Sequence, residues 1–505
     1  MNADFGRGAL VSLVWLAGSA VAAVVIGYAM ATVGWMAAPL LAVMVAAGIF
    51  FVVSPRWWWV PLPASYAIGG MLYFGFKIYT HELALVVCVL PLFFAAALNR
   101  RAVQQERAAL PGVHFWMLFY LGVHLCWSIL VARRLGEGGY GNILRHYAWA
   151  LWPLCFGWLY HRYGSTRYLR PALWMLLAAY FLRASVTVVT HHFPAFLYVP
   201  LINFVLPGST SAHADDLRSG ALGLGVVALA VGAMSRSLGW RLVMLALGGL
   251  ALYGVLLGAG RVSLAMFMCL PPALAWVGRR YDLLGAAGGL VLAVLLALNV
   301  SPQLLDGFDM RVQRTLSILV LEQGAARSHA ITESSNLWHQ RLRELAMQRW
   351  LESPGTFLFG NRIRRFDAEI GYIHGQQEMA FERALERATE VGAYETGWFS
   401  TLAITGVLGF GLYLGLLARY LRRPWEFLRK HGVRGPEGAF CFLGVFTAVM
   451  WFAFGWTYGG YPSFELVLLM VADAACGDAA RVSVRAPAVA RSEAVVVGAV
   501  RVPVV

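Results

Sequence analysis

Charged residues are scarce in this chain of 505 residues, where Asp, Glu, Lys and Arg together make up only 13%. Soluble domains carry about 25% charged and about 45–50% apolar residues. Here 59% of the residues are hydrophobic, and the mean hydropathy is +0.64. A soluble enzyme and a disordered chain are therefore excluded. The composition indicates a protein built mostly of membrane-spanning helices.

Cysteine is also rare, and this excludes a disulfide scaffold. Each of the six cysteines lies within or at the end of an apolar run, and none shows CxxC spacing. We interpret them as small core residues. No pair of histidines has the spacing of a metal site such as HExxH. The sequence therefore predicts neither a metal site nor a cofactor.

Long apolar runs are abundant, and a membrane span needs about 20 mostly apolar residues. The run over 9–31 is too long for the apolar part of a secretory signal, so we interpret it as a retained anchor. The chain is predicted to be an all-α polytopic membrane helix bundle with about 12–14 transmembrane helices. The candidate spans are roughly 9–31, 35–53, 57–76, 82–98, 114–132, 145–161, 171–190, 219–235, 242–258, 262–277, 283–300, 397–418, 439–457 and 462–476.

The distribution of Lys and Arg predicts the orientation, because cytoplasmic segments carry an excess of positive charge. With the N-terminus in the cytoplasm, inward segments hold 22 basic residues, and outward segments and spans outside the long loop hold seven. Both termini are then cytoplasmic. The net charge of +14 is mostly a topology signal that faces anionic lipid, so no nucleic-acid partner is expected.

One outward segment, residues 301–396, is long and holds 13 of the 26 acidic residues. A helix is predicted over 337–351, with Ser335 or Asn336 as its cap and Pro354-Gly355 as its stop. A second amphipathic stretch runs from Gln376 to Val391. These helices either lie flat on the membrane or roof a cavity above the bundle. The predicted divisions are 1–300 (eleven spans), 301–396 (loop), 397–476 (C-terminal spans) and 477–505 (disordered tail).

Several outward-side arginines oppose the orientation bias. Arg261 follows Gly258-Ala259-Gly260, Arg145 starts a span after a glycine-rich turn, Arg183 lies inside a span, and Arg218 ends an outward segment. Each one alone is explained by snorkelling or by a neighbouring carboxylate. Together they predict an anionic ligand, because guanidinium groups suit phosphate. A phosphate that is embedded in the membrane and faces outward indicates a lipid diphosphate.

The helix bundle, its late outward loop and its Gly-Arg turn resemble the O-antigen ligase and polymerase superfamily. These integral-membrane glycosyltransferases transfer glycans from undecaprenyl diphosphate at the periplasmic face. The turn at 260–263 matches the family's diphosphate-contacting turn. The progression Arg343, Trp350, Pro354, Gly360 resembles the family's passage into the loop. The resemblance covers roughly residues 110–460 and implies diphosphate binding by Arg261. From their positions on the outward side, we expect Arg145 to bind the diphosphate as well, with Arg183 or Arg218 assisting.

The end of the loop departs from the ligase pattern. Ligases carry His-[Asn/Ser/Gln], nine residues and then Gly-x-x-[Gly/Thr/Tyr]. Here Gly406-Val407-Leu408-Gly409 matches the last part, but Glu395 stands where the histidine is expected. The departure favours a polymerase or another polysaccharide-assembly member. Glu395 or His339 would be the general base that deprotonates a sugar hydroxyl, in a direct displacement with inversion and without a metal. An ion pair with a loop arginine explains Glu395 equally well.

The resemblance also implies a place and partners. The expected site is the bacterial inner membrane, with the active site facing the periplasm. The partners would be an undecaprenyl-diphosphate-linked oligosaccharide, membrane lipid and other polysaccharide-assembly proteins. A lipid-linked oligosaccharide flippase is the main alternative, although such transporters have short loops and an internal repeat. A non-catalytic envelope scaffold is the third alternative, but it leaves the embedded arginines unexplained.

Overall fold

The computed structural model describes residues 37–73, 77–98, 110–135, 140–198, 210–235, 237–258, 260–279, 281–316, 319–320, 326–361, 394, 396–457 and 463–479. The predicted span over 9–31 and the amphipathic stretch from Gln376 to Val391 lie outside these residues. Of the predicted disordered tail, residues 477–479 are helical and the rest lies outside the described residues.

Helices make up most of the described chain. In chain order they include α1 (Ala37–Val53), α2 (Pro61–Ile68), α3 (Thr80–Leu98), α4 (Gly112–Arg134), α5 (Tyr140–Tyr163), α6 (Leu169–His192), α7 (Thr210–Met234), α8 (Leu238–Leu257), α9 (Arg261–Val277), α10 (Tyr281–Val300), α11 (Met310–Leu316), α12 (Ala326–Trp350), α13 (Pro354–Phe359), α14 (Gly397–His431), α15 (Gly435–Phe454) and α16 (463–479).

The protein is an all-α polytopic membrane bundle. Within the described residues, five helices are long and apolar enough to cross a membrane: Gly112–Arg134, Thr166–His192, Leu238–Leu257, Gly397–His431 and Gly435–Phe454. The predicted spans at 82–98, 219–235, 262–277 and 283–300 contain the shorter apolar helices Thr80–Phe93, Gly220–Met234, Arg261–Val277 and Val291–Val300. Length and composition thus establish fewer full-length spans than the predicted 12–14.

The predicted span over 57–76 is not one continuous helix. The chain forms a 3₁₀ turn at Pro55–Trp57 and then α2, and the pair Val43–Val53 and Pro55–Ile68 is bent by 114°. Prolines lack the backbone N–H that continues a helix, and Gly69 ends α2 in a left-handed conformation with φ of 62°. A two-stranded antiparallel hairpin follows, with Met71 opposite Tyr79.

The main core lies where α6, α7, α8 and α15 pack around the bent segment. Trp58 and Trp59 are fully buried there, and the Trp59 indole N–H donates to the Ser165 carbonyl at 3.2 Å. Helices α15 and α16 approach closely at Gly444, where an added Cβ would lie 3.1 Å from the Leu469 backbone nitrogen. Small residues allow such close packing of membrane helices.

The long loop contains the predicted helix, but with different ends. Helix α12 starts at Ala326, so Ser335 and Asn336 lie inside it and cap nothing. It ends at Trp350, and Pro354 begins the next helix instead of only stopping the last. Ser353 caps α13 through a capping box with Thr356, and a proline in the first turn suits a helix start.

Candidate functional site

Arg261 is the first residue of α9, and it connects the bundle to the long loop. Gly260 precedes it in an extended conformation, and Arg261 lies at the N-terminal end of the helix. The Arg261 guanidinium donates a hydrogen bond of 2.5 Å to the side-chain carbonyl of Asn336 on α12. Arg261, which the sequence analysis predicts to bind a diphosphate, therefore contacts helix α12 of the loop.

The face of α12 that carries Asn336 also carries His339 and Arg343. Residues spaced by three or four positions share one helix face. His339 is half-buried. The Arg343 guanidinium lies 5.8 Å from the centre of the Trp456 ring, in the turn after α15, which is a cation–π contact. This polar face contacts Arg261 at the start of α9 through Asn336 and Trp456 after the end of α15 through Arg343.

An apolar stripe anchors the same helix. Leu342 is fully buried and packs with Trp338 and Leu345, which are the residues that the sequence pattern places on one side. One turn further, Ala346 packs against Tyr394 and Ala403. These contacts hold α12 against α14.

Arg183 is buried in α6, with 8% of its surface exposed, as its place inside a span suggests. The guanidinium Nη1 donates to the Ala67 carbonyl at 3.0 Å. It also lies so close to Gly69 that an added Cβ there would be 2.6 Å from Nη1. This position ties the end of α2 to α6. The aliphatic part of the Arg183 side chain also lies against Gly220 of α7, where an added Cβ would be 3.0 Å from Cδ.

The remaining predicted site residues are described less fully. Arg145 lies in α5 and Arg218 in α7, but their side chains are not among the described ones. Glu395 lies outside the described residues. Its neighbours Tyr394 and Thr396 are both buried, and Thr396 is the N-cap of α14. Tyr394 and Thr396 therefore lie inside the protein, at the start of α14.

The loop segment after α13 meets α14 at a pair of glycines, Gly360 and Gly406, and we call this contact the crossing. Gly406 interrupts α14 with φ of 63° and ψ of −174°, and Gly360 follows α13 with φ of 79°. An added Cβ on Gly406 would lie 2.5 Å from the Gly360 nitrogen, and one on Gly360 would lie 2.5 Å from the Gly406 nitrogen. Only glycine permits this approach and this conformation.

The interrupted helix leaves backbone groups that must be paired inside the bundle. Asn361 donates its backbone N–H to the Ala403 carbonyl at 2.7 Å. The Tyr120 hydroxyl donates to the Thr405 carbonyl at 2.5 Å and lies 3.2 Å from the Phe359 carbonyl. The break is therefore stabilised by the loop and by α4.

A buried histidine that we did not select from the sequence completes this crossing. His124 Nε2 lies 2.6 Å from the Phe359 carbonyl, and its Nδ1 lies 2.7 Å from the Tyr147 hydroxyl. Ser128 Oγ is 3.0 Å from the same hydroxyl. Since a carbonyl only accepts, Nε2 carries the proton and donates. A neutral imidazole then accepts at Nδ1 from Tyr147, which accepts from Ser128 in turn.

No local motif identifies His124, because its partner at Phe359 is 235 residues away in the sequence. The only available signal is a polar residue at the centre of an apolar span, since such residues are rare and usually functional.

Comparison of the chain with protein-family models and with curated proteins gave no match.

Proposed function

We propose that this protein is a glycan transferase of the O-antigen ligase and polymerase type, acting at the periplasmic face of a bacterial inner membrane. Its substrate would be an undecaprenyl-diphosphate-linked oligosaccharide that it polymerises or transfers in surface-polysaccharide synthesis. The observation that carries the proposal is the position of Arg261. A guanidinium at the outward end of a membrane helix, under a polar helix face, is suited to a lipid diphosphate.

The chemistry follows from groups that flank this position. The attacking sugar hydroxyl must lose a proton as its oxygen bonds to the anomeric carbon, and the diphosphate leaves with the electrons of the broken bond. Arg261 would stabilise the charge that develops on the diphosphate. His339 lies one turn from Asn336 on α12 and is one of the two proposed bases. Glu395 remains the alternative base.

The positions that carry the family resemblance also support the proposal. Gly360 and Gly406 come from separate parts of the resembling pattern, and they lie against each other. Trp350 stacks on Phe357 with ring centres 5.2 Å apart, and its indole N–H donates to the Phe357 carbonyl at 3.0 Å. These residues serve as the frame that holds the loop on the bundle, whereas Arg261 and His339 would act on the substrate.

The test is a reconstituted assay with a lipid-diphosphate oligosaccharide in proteoliposomes. We expect Arg261→Ala to lower the transfer rate by about 100-fold or more, as for the loss of a donor to a developing anion. Arg261→Lys should retain part of the rate because it keeps the charge. Arg341→Ala is the matched control, since Arg341 lies on the exposed face of α12, the helix that contacts Arg261.

Two results would contradict the proposal. In the first, oligosaccharide moves between leaflets and no glycosidic bond forms, which would indicate the flippase. In the second, transfer occurs at the same rate in Arg261→Ala and Arg341→Ala. To assign the base, His339→Ala and Glu395→Gln are compared at substrate saturation, where loss of the base lowers kcat.

A further inference from the structure

The crossing of Gly360 and Gly406 lies deep in the bundle, as two helices independently indicate. His124 lies ten residues from the outward end of α4 at Arg134, which is about 15 Å at 1.5 Å per residue. Gly406 lies nine residues from the start of α14 at Gly397, which is about 14 Å. The hydrocarbon core of a bilayer is about 30 Å thick. Both helices therefore place the crossing near its middle.

The loop is fixed at this depth by contacts from both helices. The Phe359 carbonyl bonds to His124 of α4, and the Asn361 N–H bonds to the Ala403 carbonyl of α14. The asparagine side chain also donates to the Arg349 carbonyl at 2.7 Å, so the end of α12 descends together with α13. The short segment 354–361 thus runs at a depth where the sequence predicts only spans.

The outer face of this segment is apolar and exposed. Phe357, Leu358 and Phe359 are 38%, 40% and 50% exposed, and Leu408, just beyond the break in α14, is 45% exposed. Phe359 bonds to Tyr120 and His124 of α4. The residues that precede these two in the sequence, Phe119 and Val123, are 64% and 51% exposed and continue the apolar surface. They belong to an apolar outer face of α4 that also includes Gly122, Cys126, Trp127 and Leu130.

The polar turn before α13 is compatible with this depth. Glu352 is exposed and precedes Pro354 by two residues. Helix α13 has six residues and is about 9 Å long. This length allows Pro354 to lie up to about 9 Å closer to the headgroups than Phe359.

We propose that residues 354–361 form a re-entrant segment, and that Phe357, Leu358, Phe359 and Leu408 contact the acyl chains of the surrounding bilayer. These four residues continue the apolar outer face of α4, which is itself long and apolar enough to span the membrane. The partner of the whole surface is therefore the hydrocarbon of the bilayer. Irregular backbone at this depth is compatible with the bilayer because its polar groups bond to His124, Tyr120 and α14. The inference does not depend on the proposed enzymatic function.

The test measures which solvent each position contacts. Spin labels are attached at Leu358→Cys in a variant without native cysteines, reconstituted in phosphatidylcholine nanodiscs. Collision rates with oxygen, which concentrates in lipid, and with a water-soluble nickel chelate are then compared. Phe119→Cys on the exposed face of α4 is the lipid control, and Gln340→Cys on the exposed side of α12 is the water control.

We expect the label at residue 358 to match the label at 119, with an oxygen-to-nickel collision ratio at least tenfold above that at 340. A ratio like that at 340 would place the segment in water and overturn the proposal. Low collision rates with both reagents would mean that protein covers the face, and would overturn it too. Phe357→Cys provides a second label on the same face if Leu358→Cys does not fold.

Discussion

The substitution Gly406→Ala tests the crossing most directly. Gly406 has φ of 63° and ψ of −174°, a region that essentially only glycine occupies. Holding another residue there costs about 1–3 kcal/mol. An added Cβ would lie 2.5 Å from the Gly360 nitrogen and closer still to the Leu358 carbonyl. Both neighbours are backbone atoms, so relief of the clash requires the two segments to separate.

Separation would break the hydrogen bonds that close the crossing. The bond from Asn361 to the Ala403 carbonyl and the bond from Tyr120 to the Thr405 carbonyl each contribute about 0.5–1.5 kcal/mol. Strain and the loss of one or both bonds together predict a destabilisation of about 3 kcal/mol. A large protein shifts its Tm by at most about 2 °C per kcal/mol, so we expect a fall on the order of 5 °C.

The assay is thermal unfolding in detergent, followed by the fluorescence of the 19 tryptophans. Gly411→Ala is the matched control, because Gly411 lies in the same helix and an added Cβ there has no atom within 4 Å. Alanine in a helix interior is favoured over glycine by up to about 1 kcal/mol, so this control should be neutral or stabilising. Equal Tm values for the two variants would refute the strained crossing.

Three further substitutions test other contacts. His124→Ala removes a donor and an acceptor from a buried chain of hydrogen bonds, and we expect it to lower the free energy of unfolding by about 2–4 kcal/mol. Arg183→Ala leaves the Ala67 carbonyl without this donor and should cost about 1–3 kcal/mol. Side-chain hydrogen bonds from Gln340 and then Arg341 lower the pKa of Glu344 below its ordinary value of 4.5. Glu344 therefore contributes to the stability of α12 above pH 4.5, and this contribution is lost as the pH falls through the lowered pKa.

Each of these predictions has its own control. His124→Gln keeps an N–H that can reach the Phe359 carbonyl, so it should be less damaging than His124→Ala; the opposite order would contradict the assigned bond. Arg170→Ala, an exposed arginine at the start of α6, should leave Tm unchanged while Arg183→Ala lowers it. For Glu344, an NMR titration should show a higher pKa in Gln340→Ala than in the parent chain, and no change would mean that the bond is not formed.

The sequence by itself determines the membrane character and most helix positions. Hydrophobicity is a property of local composition, so runs such as 114–132 and 171–190 identify α4 and α6 without any knowledge of their neighbours. The stripe of Trp338, Leu342 and Leu345 likewise predicts the buried side of α12, because helical periodicity is local. The prolines near residue 61 were visible, but the 114° bend and the hairpin depend on what the bent segment packs against.

The tertiary structure alone decides which polar groups meet. Gly360 and Gly406 are conspicuous in the sequence only as family-like positions, yet their meeting determines both the break in α14 and the depth of the loop. Arg261 and Asn336 are 75 residues apart, and His124 and Phe359 are 235 residues apart. Contacts at such separations depend on the arrangement of whole helices, and no local pattern of residue types encodes that arrangement.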